Sequence, residues 1–186
     1  MSHRIEIIPK NANNYFYFQT LSAATVYGTF NCGIPEYNDY LTNEALRSMD
    51  DHIALTWLLT ERSTGKIAAY MSLIMDAIKL SFTEKELHHL NYPFRTIPAM
   101  KIAKLAVDRN FINKYKGIGT SMIDSAELLA RACNSSYCAC RFLTVEADLE
   151  HNKNILSFYE KNGFITNTEL YNKNRKTISM RKDIYK

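Results

Sequence analysis

"KIAKLAVDRNFINKYKGIGTSMIDSAELLA", residues 101–130, opens on an alternating apolar run, crosses a polar loop, and places two glycines two apart directly before apolar residues at helical spacing. It reads as strand, turn, helix: a strand over 99–108, and a helix over 117–134 with Met122, Ile123, Ala126, Leu129 and Ala130 on one face. A helix N-terminus leaves backbone N–H groups unpaired and carries about half a positive charge, so it favours an anion. Without side chains at 117 and 119 a phosphate oxygen can approach the main chain, and Lys114 and Lys116 add charge at the rim. Neither the Walker spacing nor the third glycine of the dinucleotide fingerprint is present. On spacing alone, the turn suits a plain strand-to-helix connection as well as a phosphate cradle.

Toward the N-terminus, "RIEII" (4–8) alternates and ends at Pro9, which suits a first strand, whereas 11–30 has no clear period. Pro35 stands at a first helical position for 34–49, with Tyr37, Tyr40, Leu41 and Ala45 on one face. Residues 52–80 read as two long strands joined at "STGK", where Gly65 supplies the positive φ of a tight hairpin. The two prolines of 81–98 mark an insert with one helical turn at most. Toward the C-terminus come a strand over 140–149, a short helix over 152–163 stopped by Gly163, and an alternating strand over 176–184. A meander and then alternating strands and helices predict one α+β domain over 1–186, built on a mixed sheet with helices packed on its faces.

A chain of 186 residues buries roughly 70% of its unfolded surface and needs no staple. Its 46% hydrophobic and 23% charged residues exclude a disordered chain. The net charge of +4 suits a polyanionic ligand and permits RNA without requiring it. The apolar run 67–80 is broken by Asp76 and is too short to cross a bilayer, which needs about 20 residues. No signal peptide is read at the start, so the four cysteines are expected to be reduced thiols in a cytoplasm.

The quoted stretch resembles the central motif of the GNAT N-acetyltransferases, in which a strand ending in an L-A-V-like triplet leads to R/Q-x-x-G-x-G/A and a helix. Lys114, Gly117 and Gly119 read that pattern, with lysine in place of the usual arginine or glutamine. A second family motif, N-x-x-x-x-F-Y-x-x-x-G-F, resembles "NILSFYEKNGF" (154–164) through Asn154, Phe158, Tyr159, Gly163 and Phe164. The resemblance implies a mixed, mostly antiparallel sheet of six to seven strands with two splayed parallel central strands, "KIAKLAV" and "RFLTVEA". From the spacing of the chain's cysteines and histidines no metal is expected, and the resemblance implies acetyl-CoA as cosubstrate. Lys114, Tyr115, Lys116, Gly117, Ile118, Gly119 and Thr120 would cradle its pyrophosphate, Leu105, Ala106 and Val107 would pair with its pantetheine, and Asn154 would add a cofactor contact.

Acyl transfer from a thioester to an amine needs a neutral amine, a stabilised oxyanion and a proton for the leaving thiolate. The resemblance places Tyr159 as the acid and the Val107 N–H at the oxyanion. Glu146 is a candidate base, although a lone strand carboxylate equally suits an ion pair. With no strand carboxylate in "AMKIAKLAV", an α-amine with pKa near 7.7 is an easier acceptor than a lysine near 10.4.

"FNCGIPEYNDYLTNEALRS" (30–48) also resembles GNAT toxins that acetylate the α-amine of aminoacyl-tRNA, through Cys32, Gly33, Tyr40, Leu41 and Pro98. That resemblance implies charged tRNA as acceptor and raises an antitoxin protein as partner. The tail 171–186, with six basic residues and one acid, agrees with RNA but also suits a solvated edge strand. A non-catalytic module binding acyl-CoA or nucleic acid is the alternative reading. Cys133, Cys138, Cys140 and His151 match no usual zinc spacing. His88 and His89 are expected at the surface of the insert. Tyr15, Phe16, Tyr17 and Phe18 suit core packing, base stacking or a homodimer contact.

Overall fold

The structure, a computed structural model, describes residues 5–6, 11–167 and 176–186. Its elements in chain order are β1 (Ile5–Glu6), α1 (Ala12–Tyr15), β2 (Phe16–Thr20), α2 (Pro35–Asp39), a π-helical segment (Tyr40–Glu44), α3 (Ala45–Asp50), β3 (Leu55–Glu61), β4 (Ile67–Lys79), α4 (Phe82–Leu87), β5 (Thr96–Val107), α5 (Arg109–Lys114), β6 (Tyr115–Lys116), α6 (Ile118–Ser136), β7 (Phe142–Asp148), α7 (Ile155–Lys161), β8 (Ile165–Thr166) and β9 (Thr177–Asp183). Seven strands form one sheet in the order β2-β3-β4-β5-β7-β9-β8, and β1 pairs in parallel with β6. Within the large sheet the β2–β3, β3–β4, β7–β9 and β8–β9 pairs are antiparallel, and β5 and β7 run parallel.

The chain divides into two compact units, residues 1–74 with 103–125 and residues 75–102 with 126–186. In the first, β3 and β4 form the expected hairpin, with Gly65 at φ +68° in its turn. The aromatic run is an edge strand: Phe16 is buried and β2 pairs with β3 from Phe16↔Glu61 to Thr20↔Trp57. Phe18 stacks on Trp57 at 4.8 Å. Pro35 begins α2 as predicted, but the helix widens to π geometry at Tyr40–Glu44, where the Thr42 hydroxyl donates to the carbonyls of Asn38 (3.2 Å) and Asp39 (3.3 Å). Leu21, Leu41, Ala45, Leu58, Ile67, Tyr70 and Ala106 make this unit's core.

The second unit holds the parallel ladder, in register from Ala99↔Phe142 to Ile102↔Val145. Its core gathers Ile78, Leu80, Ile97, Ala99 and Phe142. Three expectations change here. The insert carries a true helix, α4, closed by a capping box in which the Ser81 hydroxyl accepts from the Glu84 N–H (3.1 Å) and the Glu84 carboxylate accepts from the Ser81 N–H (3.0 Å). His88 is buried, not on the surface. The last strand is interior to the sheet, since β9 pairs with β7 on one side and β8 on the other. Residues 4, 7–8 and 171–175, on which part of the first-strand and basic-tail readings fall, lie outside the described residues.

Beneath α4, Arg181 is 1% exposed and donates from Nη1 to Glu84 Oε1 and Asn167 Oδ1, both at 2.7 Å, and from Nε to His88 Nε2 at 3.2 Å. A guanidinium can only donate, so Nε2 accepts and the imidazole proton sits on Nδ1, which donates to Asp183 Oδ2 at 2.9 Å. Arg141 donates to the same oxygen at 2.8 Å. Burial lowers the His88 pKa, outweighing the opposite pull of Asp183 and keeping the ring neutral. Two of the tail's cations are therefore internal struts: Arg181 as above, and Lys182, whose ammonium lies 2.7 Å from Glu127.

Candidate functional site

The predicted residues fall in both units. In the first, β5 ends at Leu105, Ala106 and Val107, with Ala106 packed into the core and its two neighbours half-buried. Asp108 fixes the exit from this strand. Its N–H donates to Ala68 O (2.9 Å), Oδ1 caps α5 by accepting from Asn110 N–H (2.8 Å), and Oδ2 accepts from Asn31 N–H (2.7 Å). The Asn31–Gly33 segment is thereby tied to the end of β5, and Gly33, at φ +88°, lies against the Arg109 guanidinium.

The glycine turn lies beyond α5 and β6. Gly117 has φ +95°, a left-handed value that a side chain would strain, and α6 starts at the next residue. Ser121 N–H donates to Gly117 O at 2.9 Å, so the N–H groups of Ile118, Gly119 and Thr120 precede the helical ladder. With 19 residues, α6 is long enough for its dipole to be felt at that end. Ile118 is buried, so this residue offers main chain only.

Lys114 and Tyr115 are engaged from below. Lys114 Nζ lies 2.6 Å from Glu61 Oε1, the Tyr115 hydroxyl donates to the same oxygen at 2.7 Å, and Thr64 donates to Oε2 at 2.6 Å. Burial would raise the Glu61 pKa, but these donors outweigh it and hold the carboxyl at about 2. The Tyr115 ring packs edge-on against Phe16 at 4.9 Å. Lys114 is thus charge-compensated, and Tyr115 offers no side chain to a cofactor. Glu61 and Asp108 organise this part of the first unit, and although Thr64 and Asn110 are local partners, the contacts that tie them to Lys114 and Asn31 span 53 and 77 residues of chain and carry no local signal. Nearby, the Lys104 ammonium sits 4.7 Å from the Tyr37 ring centroid and 5.6 Å from that of Tyr40, a cation–π arrangement.

In the second unit Tyr159 lies on α7, 7% exposed, with its ring 5.1 Å from Phe158 and 5.3 Å from Phe164. Burial, aided by the charge of Asp148, pushes its phenol up to about 12. Asn154 caps α7 without a side-chain bond and is exposed. Glu146 is half-exposed, with Oε1 3.3 Å from Lys101 Nζ and Oε2 accepting from the Thr177 hydroxyl at 3.4 Å, the geometry of an ion pair. Among the described residues no group of three or more His, Cys, Asp or Glu could hold a metal, and all four cysteines are free thiols.

No protein-family model matches the sequence, and no curated protein does. Solved structures match over nearly the whole chain. "AtaT complexed with acetyl-methionyl-tRNAfMet" is 20% identical, with 91% of this chain and 95% of that chain covered and a TM-score of 0.75. A tyrosine-to-phenylalanine mutant of KacT is 19% identical, with 90% and 95% covered and a TM-score of 0.72. The chain has the GNAT fold. A third such structure, AtaTR bound with AcCoA, is 21% identical and covers 90% of this chain and 94% of its own at a TM-score of 0.68. In GNAT terms, β5 and β7 are the parallel central pair, and α5 and β6 stand between β5 and the Gly117 turn, where the sequence reading expected a loop.

Proposed function

We propose that this protein is a single-domain N-acetyltransferase that moves the acetyl group of acetyl-CoA to the α-amine of aminoacyl-tRNA. The observation that carries the reading is the turn at Gly117: a left-handed glycine at the head of a 19-residue helix, leading into main-chain N–H groups that precede the ladder, in a chain of GNAT fold. Those N–H groups bind the pyrophosphate. The contribution of Lys114 is secondary, because Glu61 already neutralises it.

The chemistry assigned to the chain is small. The end of β5, at Leu105 to Val107, offers main-chain partners to the amide-rich arm of the cosubstrate, and the Val107 N–H donates to the oxygen that gains charge as the amine attacks. Tyr159, neutral at any physiological pH with its phenol near 12, donates its proton toward the departing sulfur. Glu146, bonded to Lys101, is assigned to orienting that lysine rather than to taking the amine proton. Without a dedicated base, an amine already partly neutral near pH 7.7 is the fitting acceptor.

AtaT is described in complex with acetyl-methionyl-tRNAfMet and with the antitoxin AtaR, and an antitoxin partner is proposed for this chain by the same likeness. Four free thiols suit the cytoplasm, and among the described residues no helix is long and apolar enough to cross a membrane. Calorimetric titration of acetyl-CoA into wild type and Gly119→Glu tests the cradle. Micromolar binding, about −8 kcal/mol, abolished by the new carboxylate supports the reading; a folded wild type that binds no acetyl-CoA rejects it.

A further inference from the structure

We infer that the segment joining β4 to β5, residues 79–95, is a stacking surface for unpaired bases of a single-stranded nucleic acid. Three aromatic rings face outward there: Phe82 (77% exposed), Phe94 (66%) and Tyr92 (59%). A groove of about 640 Å³ runs between α4 and the loop after it, with Phe82 and Tyr92 on its walls and Asn91 offering an amide that can read a base edge. Singly exposed apolar side chains are ordinary, but three rings gathered on one segment of 186 residues call for an occupant.

The rings stand on a fixed base. The inward face of α4 is anchored by Glu84 on buried Arg181, with His88 just beyond its C-terminus held between Arg181 and Asp183. The Lys85 ammonium donates to the carbonyls of Tyr92 and Phe94, tying the loop back to the helix. His89, lining the groove, holds φ +54°, an uncommon left-handed value for a residue other than glycine. A rigid platform binds without first having to be ordered, which is what a stacking site requires.

Charge selects the occupant. Leu80 N–H donates to Arg95 O at 3.4 Å, which brings the chain at Lys79 beside Arg95, and Lys85 lies on α4. Against these three cations the segment turns outward only one carboxylate, Glu86, because Glu84 is buried. Aromatic faces with a cationic rim match the flat bases and phosphates of a single strand. A two-fold contact between copies would bring two net-positive patches together, which disfavours self-association. That the strand is the acceptor end of a charged tRNA rests on the proposed acetyl-transfer function; base stacking on this surface does not.

The test is fluorescence anisotropy with a labelled eight-nucleotide RNA single strand and a blunt RNA duplex of equal length, at low and at 200 mM salt. Phe82→Ala and Phe94→Ala, both at exposed positions, are each expected to weaken single-strand binding about five- to a hundredfold. Duplex binding, thermal midpoint and acetyl-CoA titration should stay unchanged. Lys79→Ala with Arg95→Ala should flatten the salt dependence. The inference is overturned if wild type does not bind the strand, or if the double Phe variant binds it as tightly as wild type. It is equally overturned if wild type sediments as a dimer that this double variant dissociates, because the face would then be a self-interface. Acetyl-CoA binding reports the acetyl-transfer reading separately, so failure of one leaves the other standing.

Discussion

Replacing Tyr159 by phenylalanine removes one oxygen from a ring that is 7% exposed and packed against Phe158 and Phe164. With the phenol near 12, outright transfer of its proton to a thiolate whose acid sits near 8.5 would climb about 5 kcal/mol, so the hydroxyl must act by donating as the carbon–sulfur bond breaks. Loss of a general acid in that role costs about a hundred- to ten-thousandfold in turnover. Acetyl-CoA affinity should change by less than about twofold, because the pyrophosphate contacts are main-chain groups of the Gly117 turn. The pH profile carries a second signature. Activity, taken as initial rates before the aminoacyl ester hydrolyses, should rise as the acceptor amine loses its proton near pH 7.7 and should not decline through pH 9, since a group near 12 stays protonated there. The assay is release of the free thiol at saturating acetyl-CoA, for wild type and Tyr159→Phe, across that pH range. Turnover of the variant within about threefold of wild type would refute the assignment.

Three further outcomes are expected. Lys114→Ala should weaken acetyl-CoA binding less than about fivefold, because Glu61 already compensates that charge, and lower stability by only about 1 kcal/mol, since Tyr115 and Thr64 go on donating to the buried carboxylate, read by calorimetry and urea titration. Arg181→Met should cost about 3–5 kcal/mol by leaving Glu84 buried without its cation, a fall of about 6–20 °C in thermal midpoint, and the double change with Glu84→Gln should recover part of it. The depressed pKa of His88 means the folded state binds fewer protons than the unfolded chain, whose histidine titrates near 6.5. Its contribution to stability is full above that pH and is lost as pH falls through the folded value, so urea midpoints should drop as pH falls below about 6.5, and His88→Gln should flatten that slope.

Local signals carried much of the fold. The strand of 99–108 and the helix of 117–134 were legible because the apolar positions alternate in one and keep helical spacing in the other, although the loop read between them holds α5 and β6, and the β3–β4 hairpin was legible because Gly65 supplies the left-handed residue of its turn. What escaped were pairings distant in sequence. Periodicity shows that 176–184 alternates, but not that β8 closes over β9 and makes it interior. Nothing near His88 or Glu84 announces an arginine 93 to 97 residues away, so a helix anchored by buried charge read as a polar insert. The aromatic run 15–18 left core packing, base stacking and a dimer contact open, because only the pairing with β3 makes 16–18 an edge strand that buries Phe16, while Tyr15 ends α1. At the candidate site the glycine at the head of α6 was legible, whereas the diversion of Lys114 to Glu61 was not.

Acetyl transfer to the amine of a charged tRNA is the central claim, and one measurement addresses it directly. The purified protein is incubated with radiolabelled acetyl-CoA and a pool of aminoacyl-tRNA, with uncharged tRNA and free amino acids alongside. Label is expected only in the charged RNA, released by mild alkali as N-acetyl amino acid and lost with Tyr159→Phe. Label in none of the three, from a protein that binds acetyl-CoA, or label in the free amino acids alone, would contradict the claim.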